Sequence, residues 1–181
     1  MIGRLRLGGR IGLLGGLLLG VVGVAGHLAG DTVLGGTWLT AALGPTAYVL
    51  LEHPRDARNR ARKGVIGHAV GLAAGVISLA VFGLLGAGSV AETHRETLGQ
   101  VGAQATALAL TLLVLTLVGA HHAPAAATTL LVASGVARPG MPLVGLVVGL
   151  VIVLAAAPLL ARFSGERQEP VAVDGRDAPT A

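Results

Sequence analysis

The sequence predicts an all-α membrane protein, a polytopic bundle of about six transmembrane helices. Three observations predict it. Apolar residues make up 53% of the chain and charged residues 12%, with a mean hydropathy of +0.78; a soluble domain carries roughly twice that charge fraction. The charges are segregated, so that residues 11–30, 32–51, 64–91, 101–120 and 141–161 contain no Asp, Glu, Lys or Arg. Proline interrupts two of the apolar segments at matching places, at Leu43-Gly44-Pro45-Thr46 and at His122-Ala123-Pro124-Ala125.

Each charge-free run is about 20 residues or longer, enough to cross a hydrocarbon core of about 30 Å as a helix. Backbone groups find no partner in lipid, which requires helices here, because a barrel would alternate apolar and polar residues. The expected segments are 11–30, 32–52, 64–88, 101–120, 122–137 and 142–162. The fifth reaches only about 24 Å at 1.5 Å per residue, so it is either a short crossing or a re-entrant half-helix. Residues 1–10 form a basic amino terminus, 11–162 the transmembrane domain, and 163–181 a tail without apolar periodicity, expected to be disordered. The basic start followed by an apolar stretch imitates a signal peptide, but the length of that stretch favours a retained helix.

Arginine placement sets the expected orientation. Arg4, Arg6 and Arg10 precede the first segment, Arg55, Arg58, Arg60, Arg62 and Lys63 follow the second, and Arg162, Arg167 and Arg176 follow the sixth. Six crossings with both termini cytoplasmic put all of these on one side of a cell membrane, leaving Arg95 and Arg138 on the other. The same bias explains the pI near 11 without a nucleic-acid partner. Six segments then divide into two sets of three with a broken segment in the middle of each. Three is odd, so the two halves would be inverted relative to each other, as in many transporters.

Glycine is abundant, with 29 residues, and some recur four apart: Gly12, Gly16 and Gly20; Gly67, Gly71 and Gly75; Gly145 and Gly149. Such stripes let helix backbones approach closely, within the bundle or across a homo-oligomer interface.

The breaks carry the functional expectation. Proline suits the first turn of a helix, and the amides of a helix start carry a partial positive charge of about half a unit. Two such starts facing each other would seat a small anion without a buried arginine. Gly44, Pro45, Thr46, Pro124 and Thr128 form the expected substrate site, with His122 lining it and His68 close by. The alternative is a pair of ordinary proline kinks whose freed carbonyls bond neighbouring threonines. His68 lies inside a segment and is a functional candidate by position; a histidine bonded across a helix interface is the competing account. The adjacent His121 and His122 point about 100° apart on a helix and make a poor metal unit, and no metal is expected. The chain has no cysteine, nucleotide-binding loop, Ser-His-Asp arrangement or intramembrane carboxylate pair, so neither an enzyme nor a cofactor is expected.

Gly44-Pro45-Thr46-Ala47, Gly67-His68-Ala69-Val70-Gly71 and His122-Ala123-Pro124-Ala125 with Thr128 and Thr129 together resemble the HPP family of small integral membrane proteins. The family is named for a His-Pro-Pro motif, and here Ala123 takes the middle position. The resemblance spans roughly residues 10 to 160 and implies a membrane protein whose chloroplast relatives in plants are linked to nitrite transport. The expected function is small-anion transport or conduction, with nitrite as the first substrate. The other reading is a non-transporting membrane scaffold or accessory subunit docked through its glycine faces.

Overall fold

The computed structural model describes residues 2–29 and 38–164, with side chains from Leu5 onward. Among them the regular structure is entirely helical: α1 (Ile2–Ala29), α2 (Leu43–Glu52), α3 (Ala57–Val81), α4 (Val90–Thr93), α5 (Leu98–Leu117), α6 (Pro124–Ala133) and α7 (Met141–Ser164). Four helices, α1, α3, α5 and α7, are long and apolar enough to cross a membrane. Between and around them, α2 and α6 are ten residues each, about 15 Å at 1.5 Å per residue.

Side-chain neighbours give the direction of each pass. Along α3, Gly64 faces His122, Gly67 faces Ala125, Gly71 faces Thr129 and Gly75 faces Val132, so α6 runs parallel to α3. The start of α5 is tied to the end of α3 by Gln100 Nε2 donating to Gly88 O, and Leu115 near its other end packs with Val70, so α5 is antiparallel to α3. On the other side, Gly23 and Gly26 of α1 meet Leu39 and Trp38, whereas Gly15 meets Leu51, so α2 descends against α1. Trp38 and Leu43 also meet Gly149, and Ser164 Oγ donates to Leu51 O at 2.6 Å, which sets α7 parallel to α2. The chain therefore passes along the bundle six times in alternating directions.

The 122–137 segment runs along the bundle and does not double back. It enters beside Gly64 and leaves where Gly135 touches Ser89 and Arg138 Nη1 donates to Ala87 O at 3.3 Å, at the opposite end. The 32–52 segment is not one continuous helix: residues 38–40 are non-helical, residues 41–42 form a turn, and α2 starts only at Leu43. The expected tail 163–181 starts two residues later, because α7 takes in Phe163 and Ser164; residues 30–37 and 165–181 lie outside the described residues.

Exchanging α1 with α5, α2 with α6 and α3 with α7 maps the principal packing pairs onto one another: α3–α6 onto α2–α7, α3–α5 onto α1–α7, and α1–α2 onto α5–α6. This is the pairing that two inverted halves of three passes produce.

Helix ends also differ from the sequence expectation. α1 runs back through the basic amino-terminal residues to Ile2, and α3 begins at Ala57, so most of the basic connection is its first two turns. The 91–100 connection contains the single turn α4, closed by a reciprocal cap in which Ser89 Oγ accepts from Glu92 N while Glu92 Oε2 accepts from Ser89 N.

One end of the bundle gathers Ile11, Leu51, Ala57 and Ala161; the main core lies along α2, α6 and α7 through Leu43, Leu50, Val132, Leu146 and Val153. Leu13, Leu17, Val21, Leu113, Leu117 and Val151 are more than half exposed on the outside. An apolar exterior around a bundle with buried polar groups is what a lipid solvent stabilises.

Candidate functional site

Local backbone geometry brings the two histidines together. α5 ends in a Schellman turn: Gly119 takes φ +65°, Gly119 N donates to Thr116 O and Ala120 N donates to Leu115 O. The helix stops there, and His121 and His122 leave it before Pro124 opens α6 as its first residue. Pro124 costs nothing at that position, because its missing amide would have had no helical partner. His121 points outward and is exposed, whereas His122 is 5% exposed.

The stripe Gly64, Gly67, Gly71 and Gly75 makes the α3–α6 approach close enough to complete the site. A Cβ on Gly71 would sit 2.7 Å from Thr129 Oγ1 and 2.9 Å from Ala125 O, and one on Gly75 would sit 2.7 Å from Val132 Cβ. These are distances no side chain tolerates. With glycine there, His68 near the midpoint of α3 reaches both half-helices.

Four of the sequence-predicted residues converge on one another. His68 Nδ1 lies 2.8 Å from Thr128 Oγ1 on α6, and His68 Nε2 lies 3.1 Å from Thr46 Oγ1 on α2. His122 Nε2 lies 3.2 Å from the same His68 nitrogen, with the rings 4.9 Å apart and at 75°. Thr46 and Thr128 are fully buried and His68 is 2% exposed.

Hydrogen-bond roles follow from counting protons. Thr46 Oγ1 donates its one proton to Ala42 O at 2.7 Å, so it accepts from His68 Nε2–H. That proton is shared with His122 Nε2, which makes His122 the Nδ1–H tautomer. His68 Nδ1 is then an acceptor and takes the Thr128 hydroxyl proton. The buried polar atoms Thr46 Oγ1, His68 Nδ1, His68 Nε2, His122 Nε2 and Thr128 Oγ1 are thereby each assigned a partner, as burial requires.

A second pair begins at the next residue of α6, about 100° round the helix. Thr129 Oγ1 donates to Ala125 O at 3.0 Å, so Thr111 Oγ1, 3.0 Å away on α5, donates to Thr129. Thr111 escaped sequence reasoning. It is one of several threonines in an uninterrupted apolar run, and only the α5–α6 packing singles it out.

The remaining predicted residues bring no side chain to the cluster. Pro124 is buried at the α6 start; Pro45 is exposed on the outer side of α2 and Gly44 is half-buried. Several helix-start amides already have partners: Ala125 N donates to His122 O, Ala126 N to Ala123 O, and Thr46 N to Ala42 O. The side chains of Thr46, His68, His122 and Thr128, more than free amides, define the polar centre.

Beside that centre an apolar groove of about 380 Å³ runs between α3 and α7 and opens on the outer face, lined by the exposed Val65, Val147 and Val151 and by Leu72 and Leu154 among others. His68 is the only polar residue in its lining. Among the described residues no third histidine or carboxylate joins the pair in a metal-type ligand set.

Two half-helices that converge on a buried polar cluster, inside a lipid-exposed six-pass bundle, define a multi-pass integral membrane protein with a central polar site. The chain matches the family model of the HPP transmembrane region over residues 9–170 and belongs to that family. No curated protein and no solved structure matches it.

Proposed function

We propose that the chain moves a small monovalent anion across a cell membrane, as a transporter or channel, with nitrite as the first substrate to test. One observation carries this reading: the first turns of α2 and α6, from opposite halves, meet through Thr46, Thr128 and His68. Broken helices converging at a repeat interface are where transporters of this architecture hold substrate. The arginine-rich end, with Arg58, Arg60, Arg62 and Lys63 on the first turns of α3, faces the cytoplasm in this reading.

Purified protein in liposomes under a nitrite gradient tests it. Uptake well above that of empty liposomes is expected, and uptake equal to empty liposomes overturns the proposal.

A different observation favours a second reading, a scaffold or homo-oligomer. Gly12, Gly16 and Gly20 of α1 are exposed, with nothing within 4 Å of an added Cβ, so this stripe faces away from the bundle. Gly71 faces inward, so its replacement would damage the fold whether or not a partner docks. Gly16→Leu is the informative variant. Loss of a co-purifying membrane partner or of oligomer with nitrite flux unchanged would support docking through α1.

A further inference from the structure

We propose that Thr128, His68 and His122 form a proton relay, so that the anion crosses together with a proton; this rests on the anion-transport reading.

The reason begins with charge. The polar centre and the adjacent groove contain no Lys, Arg, Asp or Glu. Of the elements packed on α3, α5 and α6 carry no ionisable side chain, and α7 carries only Arg162 in its last turn. α2 carries Tyr48 and Glu52, and the tyrosine hydroxyl donates to the carboxylate at 3.1 Å. Outside the relay, His121 is exposed and Lys63 and the arginines of α3 lie on its first two turns. A bare anion at this buried centre is therefore without a counter-charge, a costly arrangement. One proton on the histidine pair supplies that charge and makes the loaded site neutral.

The geometry gives the proton a route between Thr128 and His122. In the resting state the Nε2–H of His68 points to His122 Nε2 at 3.2 Å, while Thr128 donates to His68 Nδ1 at 2.8 Å. A proton arriving at Thr128 Oγ1 passes the hydroxyl hydrogen to His68 Nδ1. The Nε2–H of His68 moves to His122 Nε2, and His122 releases its Nδ1–H. One proton enters and one leaves. Both rings finish in the opposite tautomer, with Nδ1–H on His68 and Nε2–H on His122, and rotation of each ring restores them. The finished state is the less favourable one, because Thr46 Oγ1, committed to Ala42 O, then faces a lone pair at 3.1 Å. The relay thus has a preferred resting state, which ties each proton passage to a reset.

The test uses proteoliposomes held at zero membrane potential with potassium and valinomycin, a nitrite gradient and a luminal pH dye, with empty-liposome flux subtracted. Luminal acidification at about one proton per nitrite is expected. His68→Gln, His122→Gln and Thr128→Val should each lower coupled proton movement at least tenfold, and Thr128→Ser, which keeps the hydroxyl, should retain most of it. Nitrite uptake with flat luminal pH overturns the relay and leaves anion transport standing. Absence of nitrite uptake overturns transport, and ¹⁵N spectra of the labelled histidines then decide the relay separately. One added proton shared between the two rings supports it; two rings that each take up a proton independently overturn it.

Discussion

His68 Nε2 and His122 Nε2 lie 3.2 Å apart, and the first residue comes from the middle of α3 while the second comes from the turn between α5 and α6. The two imidazoles share one proton, which fixes the tautomer of each and the donor or acceptor role of Thr46 and Thr128. The polar centre is a unit, so its members should fail together.

Thr128→Val removes the donor to His68 Nδ1 at nearly constant volume. An unpaired buried acceptor costs about 1–3 kcal/mol. Thermal unfolding in detergent should show Thr128→Val destabilised by that order and Thr128→Ser close to the parent.

Glycine positions should separate by what they face. Gly71→Ala puts a methyl 2.7 Å from Thr129 Oγ1 and 2.9 Å from Ala125 O, and overpacking of this kind costs about 1–3 kcal/mol. Gly16→Ala meets open space and gains up to about 1 kcal/mol of helix propensity. Opposite signs in thermal unfolding are expected, and equal losses would show that α1 and α3 do not differ in the way described.

Gly119→Ala forces a side chain into φ +65°, at a cost of about 1–2 kcal/mol. The turn that carries His122 would shift with it. Loss of stability accompanied by a changed ¹⁵N signal of His68 is expected, because the strain reaches the ring that His122 touches.

Glu92 gives a pH prediction at the exposed end. The Ser89 amide, and after it the Arg138 guanidinium at 2.9 Å, hold its carboxyl below the ordinary carboxylate value of 4.5. A lowered folded-state pKa contributes stability that is complete above the ordinary value and lost as pH falls through the lowered one. Amide exchange in residues 87–93 and 134–138, corrected for intrinsic rates, should accelerate in strong acid. Glu92→Gln should show the faster exchange already at neutral pH and lose the dependence.

The sequence was most legible where chemistry is local. Charge-free runs marked the crossings, and Pro124 marked the start of α6 to the residue, because proline at a helix start is a local preference. Thr46, His122 and Thr128 stand out beside the two proline breaks, and His68 as an ionisable residue inside an apolar segment. The beginning of α2 was less legible: residues 32–51 have enough apolar length for a full helix, yet the chain is non-helical at residues 38–40 and packs Trp38 and Leu39 against α1. Apolar content measures affinity for lipid, and it does not say whether backbone groups are satisfied within a helix or against a neighbour. The glycine stripes showed the same gap. Gly12, Gly16 and Gly20 have the spacing of Gly67, Gly71 and Gly75, but one set faces outward and the other faces α6.

By itself, the sequence determined that this protein lives in a membrane, that its chain is helical and passes several times, and where α6 begins, since those depend on composition and on backbone preferences of single residues. Only the tertiary structure decided that His68 stands between Thr46 and Thr128 and shares a proton with His122. Those atoms are 22, 60 and 54 residues from His68 along the chain, and only the antiparallel packing of the two halves brings them within hydrogen-bond distance.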